Sequence, residues 1–135
     1  MAQRVDSFME DERVHRQNMA DAINNLGAGP AVIKAWALVT TTAGTPVITT
    51  SYNVASVADN GVGDYTFTFD TPFANNNYTV TGSVAGEDGG TTSYQIFVLE
   101  AGRLAASSRV ILENADGVNV DAATGGGSIV YIGNQ

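Results

Sequence analysis

The sequence contains no cysteine, a single histidine, three prolines and only six Lys and Arg residues among its 135 residues. Without cysteine, neither disulfides nor thiolate metal sites stabilise the fold. Fourteen acidic residues outnumber the basic ones, for a net charge of -8, and no two basic residues are adjacent. Because neutralising phosphates needs grouped cations, nucleic acid is not expected as a partner.

No stretch of the chain approaches the roughly 20 consecutive apolar residues of a membrane span, so we expect no membrane insertion. Hydrophobic residues make up 44% of the chain and charged residues 15%, which favours one folded core over intrinsic disorder. The composition therefore predicts one domain of ordinary size whose stability comes from packing.

Residues 7 to 26 are predicted to form a helix, because Ser7 and Glu10 have the spacing of a capping box. Gly27 and Pro30 are typical of a helix end and of a hinge. Heptad steps from Val5 give this seam: Met9, Glu12, Arg16, Met19, Ile23 and Leu26. Either the helix packs on its own β-domain, or its apolar end contacts copies of itself while the first turns bind another surface. The hinge favours the second alternative.

From Val32 onward the pattern changes to short β runs separated by turn residues. The predicted strands are 33–39, 45–50, 52–57, 64–69, 78–84, 93–99, 109–113, 118–120 and 128–132. The predicted turns lie at Ala43-Gly44, Asn60-Gly61, Ala101-Gly102, Asp116-Gly117 and Gly125-Gly-Gly127. Eight or nine short strands at regular spacing predict a mainly β fold, an antiparallel β-sandwich or jelly-roll-like domain.

The strongest strand signal follows the Asn60-Gly61 turn, where Tyr65, Phe67 and Phe69 alternate with Asp64, Thr66 and Thr68. Period two places the three rings on one buried face of a central strand. The predicted core or subunit-interface residues, rather than ligand platforms, are Trp36, Tyr65, Phe67, Phe69 and Tyr78.

No spacing in the chain builds a recognisable catalytic or metal site, so no enzyme activity and no cofactor are expected. His15 lies in the charged middle of the helix without a second histidine. Asp59 and Asp64 lack the alternating ligands of a calcium loop, and Ser107-Ser108 has no histidine near it in sequence. Glu87-Asp88 between glycines is more typical of an exposed loop than of paired catalytic carboxylates.

Three stretches between residues 34 and 84 carry a resemblance: Lys34-Ala-Trp, the run from Ser51 to Phe69, and Asn77-Tyr-Thr-Val80. In this order they resemble a module of bacteriophage tail-fibre and head-fibre proteins. The resemblance implies a virion fibre or spike domain, commonly a homotrimer, that is assembled in the host cytoplasm and anchored to the particle by its N-terminus. It supplies no catalytic residues.

The sequence therefore divides into an anchor helix with its hinge, residues 1–30, and a β-domain, residues 31–135. The residues expected to anchor or oligomerise the chain are Val5, Phe8, Met9, Val14, Met19, Ile23 and Leu26. Their expected partners are other virion proteins of the capsid, portal or tail, besides further copies of the chain.

The alternative function is a host-receptor module that binds a surface carbohydrate. Such a module needs exposed aromatic, amide or carboxylate groups in a shallow site. The candidates for that contact are Asn75, Asn76, Glu87, Asp88 and Tyr94.

Overall fold

The computed structural model describes residues 2–26, 32–84, 94–122 and 126–135. Within these residues one helix, α1 (Ala2–Leu26), precedes eight strands. The strands are β1 (Ile33–Thr42), β2 (Thr45–Tyr52), β3 (Ser56–Gly61), β4 (Asp64–Thr68), β5 (Thr79–Val84), β6 (Tyr94–Arg103), β7 (Ser107–Asn114) and β8 (Gly127–Ile132). They form two antiparallel sheets, called sheet A (order β2-β1-β8-β5) and sheet B (order β3-β4-β7-β6). The mainly β, sandwich-like fold predicted from the sequence is confirmed.

The core lies between the two sheets and is rich in aromatic rings. Phe69 packs edge to face on Phe73 and on Tyr131, with ring centroids 4.9 Å apart in both pairs. Ala35 and Ala37 of β1 are fully buried opposite this cluster. Small side chains on sheet A thus leave room for large rings, which keeps the interior densely packed.

β4 is an interior strand, paired with β3 on one side and with β7 on the other. Tyr65, Phe67 and Phe69 are all buried, as the alternation predicts. Phe69 lies just after the strand and continues its inward face. The aromatic and threonine pattern was therefore a reliable signal of a strand with one face in the core.

The helix starts earlier than the capping pattern predicts. α1 begins at Ala2 and continues through Ser7, so Ser7 lies within the helix and is not its N-cap. The capping-box prediction is wrong because the same spacing of Ser and Glu also occurs inside helices. The proposed hinge at residues 27 to 30 lies outside the described residues.

The predicted strand at residues 52–57 is replaced by a bend between β2 and β3. Asn53 adopts a φ of 54°, in the left-handed region that asparagine tolerates. Its side-chain amide donates to the carbonyl oxygens of Lys34 (3.1 Å) and Thr71 (3.0 Å), while its side-chain oxygen accepts from the backbone N–H of Thr71. These bonds hold the bend against β1 and stop the strand.

The β3–β4 hairpin turns at Val62-Gly63 instead of at Asn60-Gly61. Gly61 remains in β3 opposite Asp64, at an irregularity in the register. The Asn60 side chain donates across the hairpin to Asp64 (3.2 Å) and Thr66 (2.8 Å). Asn60 thus bridges the two strands, so the most typical hairpin dipeptide of the sequence does not form the turn.

Two predictions about β6 and its neighbours are also wrong. Ala101-Gly102 lies inside β6, and the chain turns further on, where Leu104 and Ser107 exchange backbone hydrogen bonds. A Cβ at Gly102 would collide with Arg109, so this glycine serves close strand packing instead of a turn. Residues 118–120 form an isolated bridge between Glu113 and Asn119 instead of a strand.

Candidate functional site

The described side chains of α1 are exposed to solvent. Every residue from 9 to 22 is exposed, including Met9 (64%), Val14 (49%) and Met19 (53%). Over these residues the helix does not pack on its own β-domain, and the choice between the two alternatives above for the whole helix stays a prediction. The side chains of Val5, Phe8, Ile23 and Leu26 lie outside the described residues.

The contacts within α1 are those of a solvated helix. Arg13 pairs with Glu10 (3.4 Å) and Arg16 with Glu12 (3.8 Å), all with exposed side chains. Exposed pairs at this spacing contribute only about 0.3 to 0.5 kcal/mol each. α1 is 25 residues long, and its exposed apolar side chains include Met9, Val14 and Met19. None of its segments is apolar enough to cross a bilayer.

The described residues among the proposed receptor contacts, Asn75, Asn76 and Tyr94, do not lie together. Asn75 and Asn76 are exposed just before β5, at the end of the sandwich where the Tyr78 hydroxyl donates to the Ser107 carbonyl oxygen. Tyr94 pairs with Asn114, at the opposite end of β7. Glu87 and Asp88 lie outside the described residues. The structure therefore separates Tyr94 from the asparagines by the length of a strand.

A polar cluster that the sequence analysis missed lies on the outer face of sheet B. Arg109 donates to both carboxylate oxygens of Asp64, at 2.9 Å from Nε and 2.5 Å from Nη2. Asn60 donates to the same carboxylate. The hydrogen bond from Arg109 holds the pKa of Asp64 below its usual range. The pair joins β4 to β7. Because both oxygens of the Asp64 carboxylate accept hydrogen bonds from Arg109, Asp64 does not share a cation with Asp59.

A second carboxylate ties the segment after β7 to the sandwich. Asp121 accepts hydrogen bonds from the Gly63 N–H (2.8 Å) and from the Tyr65 hydroxyl (3.0 Å). The Thr41 hydroxyl donates to the carbonyl oxygen of Ala122. This arrangement closes one end of the sandwich over the core. Among the described residues, no group of three His, Asp or Glu side chains could hold a metal ion.

The other side chains that the sequence analysis considered for chemistry, His15 and Ser108, lie apart from each other. His15 is exposed on α1, and Ser108 is fully buried between the sheets. The hydroxyl groups of Ser108 and Tyr131 make no hydrogen bond of normal geometry among the described residues. Trp36 is half-buried on the outer face of sheet A, so the prediction that it lies in the core is wrong. Its predicted position in a subunit interface stays a prediction.

Three tyrosines should make the stability of the fold depend on alkaline pH. Burial raises the pKa of Tyr65, of Tyr78 and of Tyr131 above the ordinary phenol value. Their contribution to stability is complete below about pH 10 and is lost as the pH rises further, because the unfolded phenols ionise first. We expect the free energy of unfolding, measured by urea titration, to fall between about pH 10 and about pH 12.

Tyr131→Phe is the matching test of this pH effect. Removing the hydroxyl removes one ionisable group, so the alkaline loss of stability should become shallower while stability at neutral pH changes by less than about 1 kcal/mol. An alkaline slope equal to that of the unsubstituted protein would contradict the contribution of Tyr131.

The described residues thus define a β-sandwich with an exposed helix, and their two carboxylate clusters hold strands and loops together. Comparison of the chain with protein-family models, with curated proteins and with solved structures finds no match.

Proposed function

We propose that this chain is a structural protein of a bacteriophage virion, a short fibre, spike or decoration protein that α1 attaches to the particle. The observation that carries the proposal is the exposure of α1 from residue 9 to residue 22. Met9, Val14 and Met19 are interleaved there with charged side chains. This mixture suits docking into a groove of a partner protein, where the apolar side chains lose their contact with water.

The β-sandwich is proposed to be the part of the protein that faces outward from the particle. Of the nine acidic residues from Lys34 onward, Asp59, Asp70 and Asp116 are exposed, as are many Thr, Ser and Asn side chains. Like charges of this kind keep neighbouring copies soluble and discourage edge-to-edge aggregation. A recess between the sheets, lined by Val39, Val84 and other mostly apolar residues, has a volume of about 50 Å³. Typical ligand pockets have roughly 300 to 1,000 Å³.

We further propose that the assembled form is a homotrimer. A small β-domain without disulfides gains stability when copies bury surface against one another. The apolar end of α1, with Met19 and the side chains of Ile23 and Leu26, is the segment proposed to contact its copies. The first turns of α1, which include Val5 and Phe8, are proposed to contact the capsid, portal or tail.

Attachment is tested by substituting one exposed position on α1. Met9→Asp adds a charge to a side chain that is 64% exposed, so it should leave the fold intact. We expect it to reduce the amount of this chain in purified particles at least about tenfold, because a charge inside an apolar contact costs more than about 1.4 kcal/mol. Quantitative mass spectrometry of purified virions measures the amount.

Val62→Asp on the β3–β4 turn, where the side chain is 59% exposed, is the matched control. It should leave the chain in the particle at the unsubstituted level. The proposal fails if the unsubstituted chain does not purify with virions, or if Val62→Asp releases it and Met9→Asp does not.

A further inference from the structure

The acidic residues of the sandwich strands all lie in sheet B. Its strands contain Asp59, Asp64, Glu100 and Glu113, together with Arg103 and Arg109. The strands of sheet A contain no acidic residue, and Lys34 is their one charged side chain. In a chain of net charge -8, the four strands of sheet A thus form a surface without carboxylates.

The outer face of sheet A is also apolar at its centre. Ala35 and Ala37 point into the core, so the residues between and beside them, Trp36 and Leu38, point outward. Trp36 pairs with Tyr52 on β2 and with Val130 on β8. A continuous row of apolar side chains therefore crosses three neighbouring strands.

We name this surface the sheet A face and define it by six outward side chains: Trp36, Leu38, Val47, Tyr52, Val130 and Ile132. Leu38 is 44% exposed, Val47 is 47% exposed and Tyr52 is 55% exposed. The rest of the face carries short Thr and Ser side chains such as Thr81 and Ser83. Exposed apolar surface of this extent, rimmed by polar groups, marks an interaction site.

We infer that the sheet A face packs against a second copy of this chain. Copies that each carry a charge of -8 repel one another, and the repulsion is smallest where they approach through a surface without carboxylates. An apolar face without carboxylates offers nothing to a basic partner, whereas it complements another apolar face of the same kind. A second copy always presents such a face.

The size of the face agrees with an interface to which α1 also contributes. Four strands about 4.8 Å apart, with a rise of about 3.3 Å per residue, cover on the order of 500 Å². A stable interface buries roughly 800 Å² on each partner. The four strands of sheet A together provide more than half of this area, and the exposed α1 can supply the rest. This inference rests on one element of the proposed function, the association of copies of the chain, and does not depend on attachment to a particle.

The test compares two substitutions at side chains of equal exposure on opposite faces. Leu38 on sheet A and Phe97 on sheet B are each 44% exposed. Size-exclusion chromatography with light scattering, at protein concentrations from micromolar to millimolar, gives the mass. The unsubstituted chain should elute as a multiple of 14.0 kDa, Leu38→Asp should weaken association at least about tenfold, and Phe97→Asp should leave it unchanged.

Circular dichroism and thermal unfolding establish that each variant is folded. If Leu38→Asp does not fold, Tyr52→Asp on the edge strand β2 replaces it, with the same expected dissociation. The inference is overturned by a 14.0 kDa monomer at every concentration, or by an assembly that survives the sheet A substitution. Because the purified chain alone is measured, this result is independent of particle attachment. If the Leu38→Asp variant dissociates, the inferred interface stands even if the chain never purifies with virions.

Discussion

Replacing Phe69 with alanine is expected to lower the free energy of unfolding by about 3 to 5 kcal/mol. Phe69 is 5% exposed and packs edge to face on Phe73, Tyr78 and Tyr131, with ring centroids between 4.9 and 5.8 Å apart. Alanine would remove the ring at the centre of this cluster and leave a cavity. The neighbouring rings, one in β8 and two in the segment between β4 and β5, limit how far the site can collapse to fill it.

Urea unfolding followed by tyrosine fluorescence or circular dichroism measures this loss. Phe97→Ala is the control, because the side chain is 44% exposed on the outer face of sheet B and should lose less than about 1 kcal/mol. Similar losses for the two variants would show that the aromatic cluster does not form the core.

Gly63→Ala is expected to have an effect of the same size, about 4 kcal/mol, for a different reason. Gly63 has a φ of 64°, and a Cβ there would lie 2.6 Å from the carbonyl oxygens of Leu112 and Val120. No real Cβ tolerates that distance to the backbone. The same glycine donates its N–H to the Asp121 carboxylate and accepts a hydrogen bond from the Leu112 N–H, so a shift to relieve the clash would break the closed end of the sandwich.

Gly61→Ala separates the clash from the backbone conformation. Gly61 also has a positive φ, 133°, but a Cβ there would meet no heavy atom within 4 Å. In the same urea experiment, Gly61→Ala should lower the free energy of unfolding only by the cost of the positive φ, about 1 to 2 kcal/mol. Equal losses at the two glycines would mean that the approach of Val120 to the hairpin is not a determinant of stability.

The alternation around Tyr65 predicted β4 and its buried face because period two is a local property of the chain. β1 could not be oriented in the same way, since its two faces are both apolar, with Ala35 and Ala37 on one and Trp36 and Leu38 on the other. We expected the larger Trp36 in the core or in a subunit interface. The alanines face inward instead because the aromatic side chains fill the space between the sheets.

The polar clusters could not be read from the sequence, because each depends on strand pairing over a long separation. Asp64 and Arg109 are 45 residues apart, and they meet only when β4 pairs with β7. The turn at Gly63 was missed for a related reason: the Asn60 side chain bridges the hairpin, which a dipeptide pattern does not reveal. The resemblance to phage fibre modules supplied the function that we propose, and the exposure of α1 supports it.

A cryo-EM reconstruction of intact virions tests the central proposal most directly. The proposal predicts density for α1 against the particle, with several copies of the sandwich projecting outward from it. The same map would show whether the sheet A faces of neighbouring copies meet. A particle in which residues 9 to 22 point into solvent while the sandwich lies against the shell would contradict the proposed attachment.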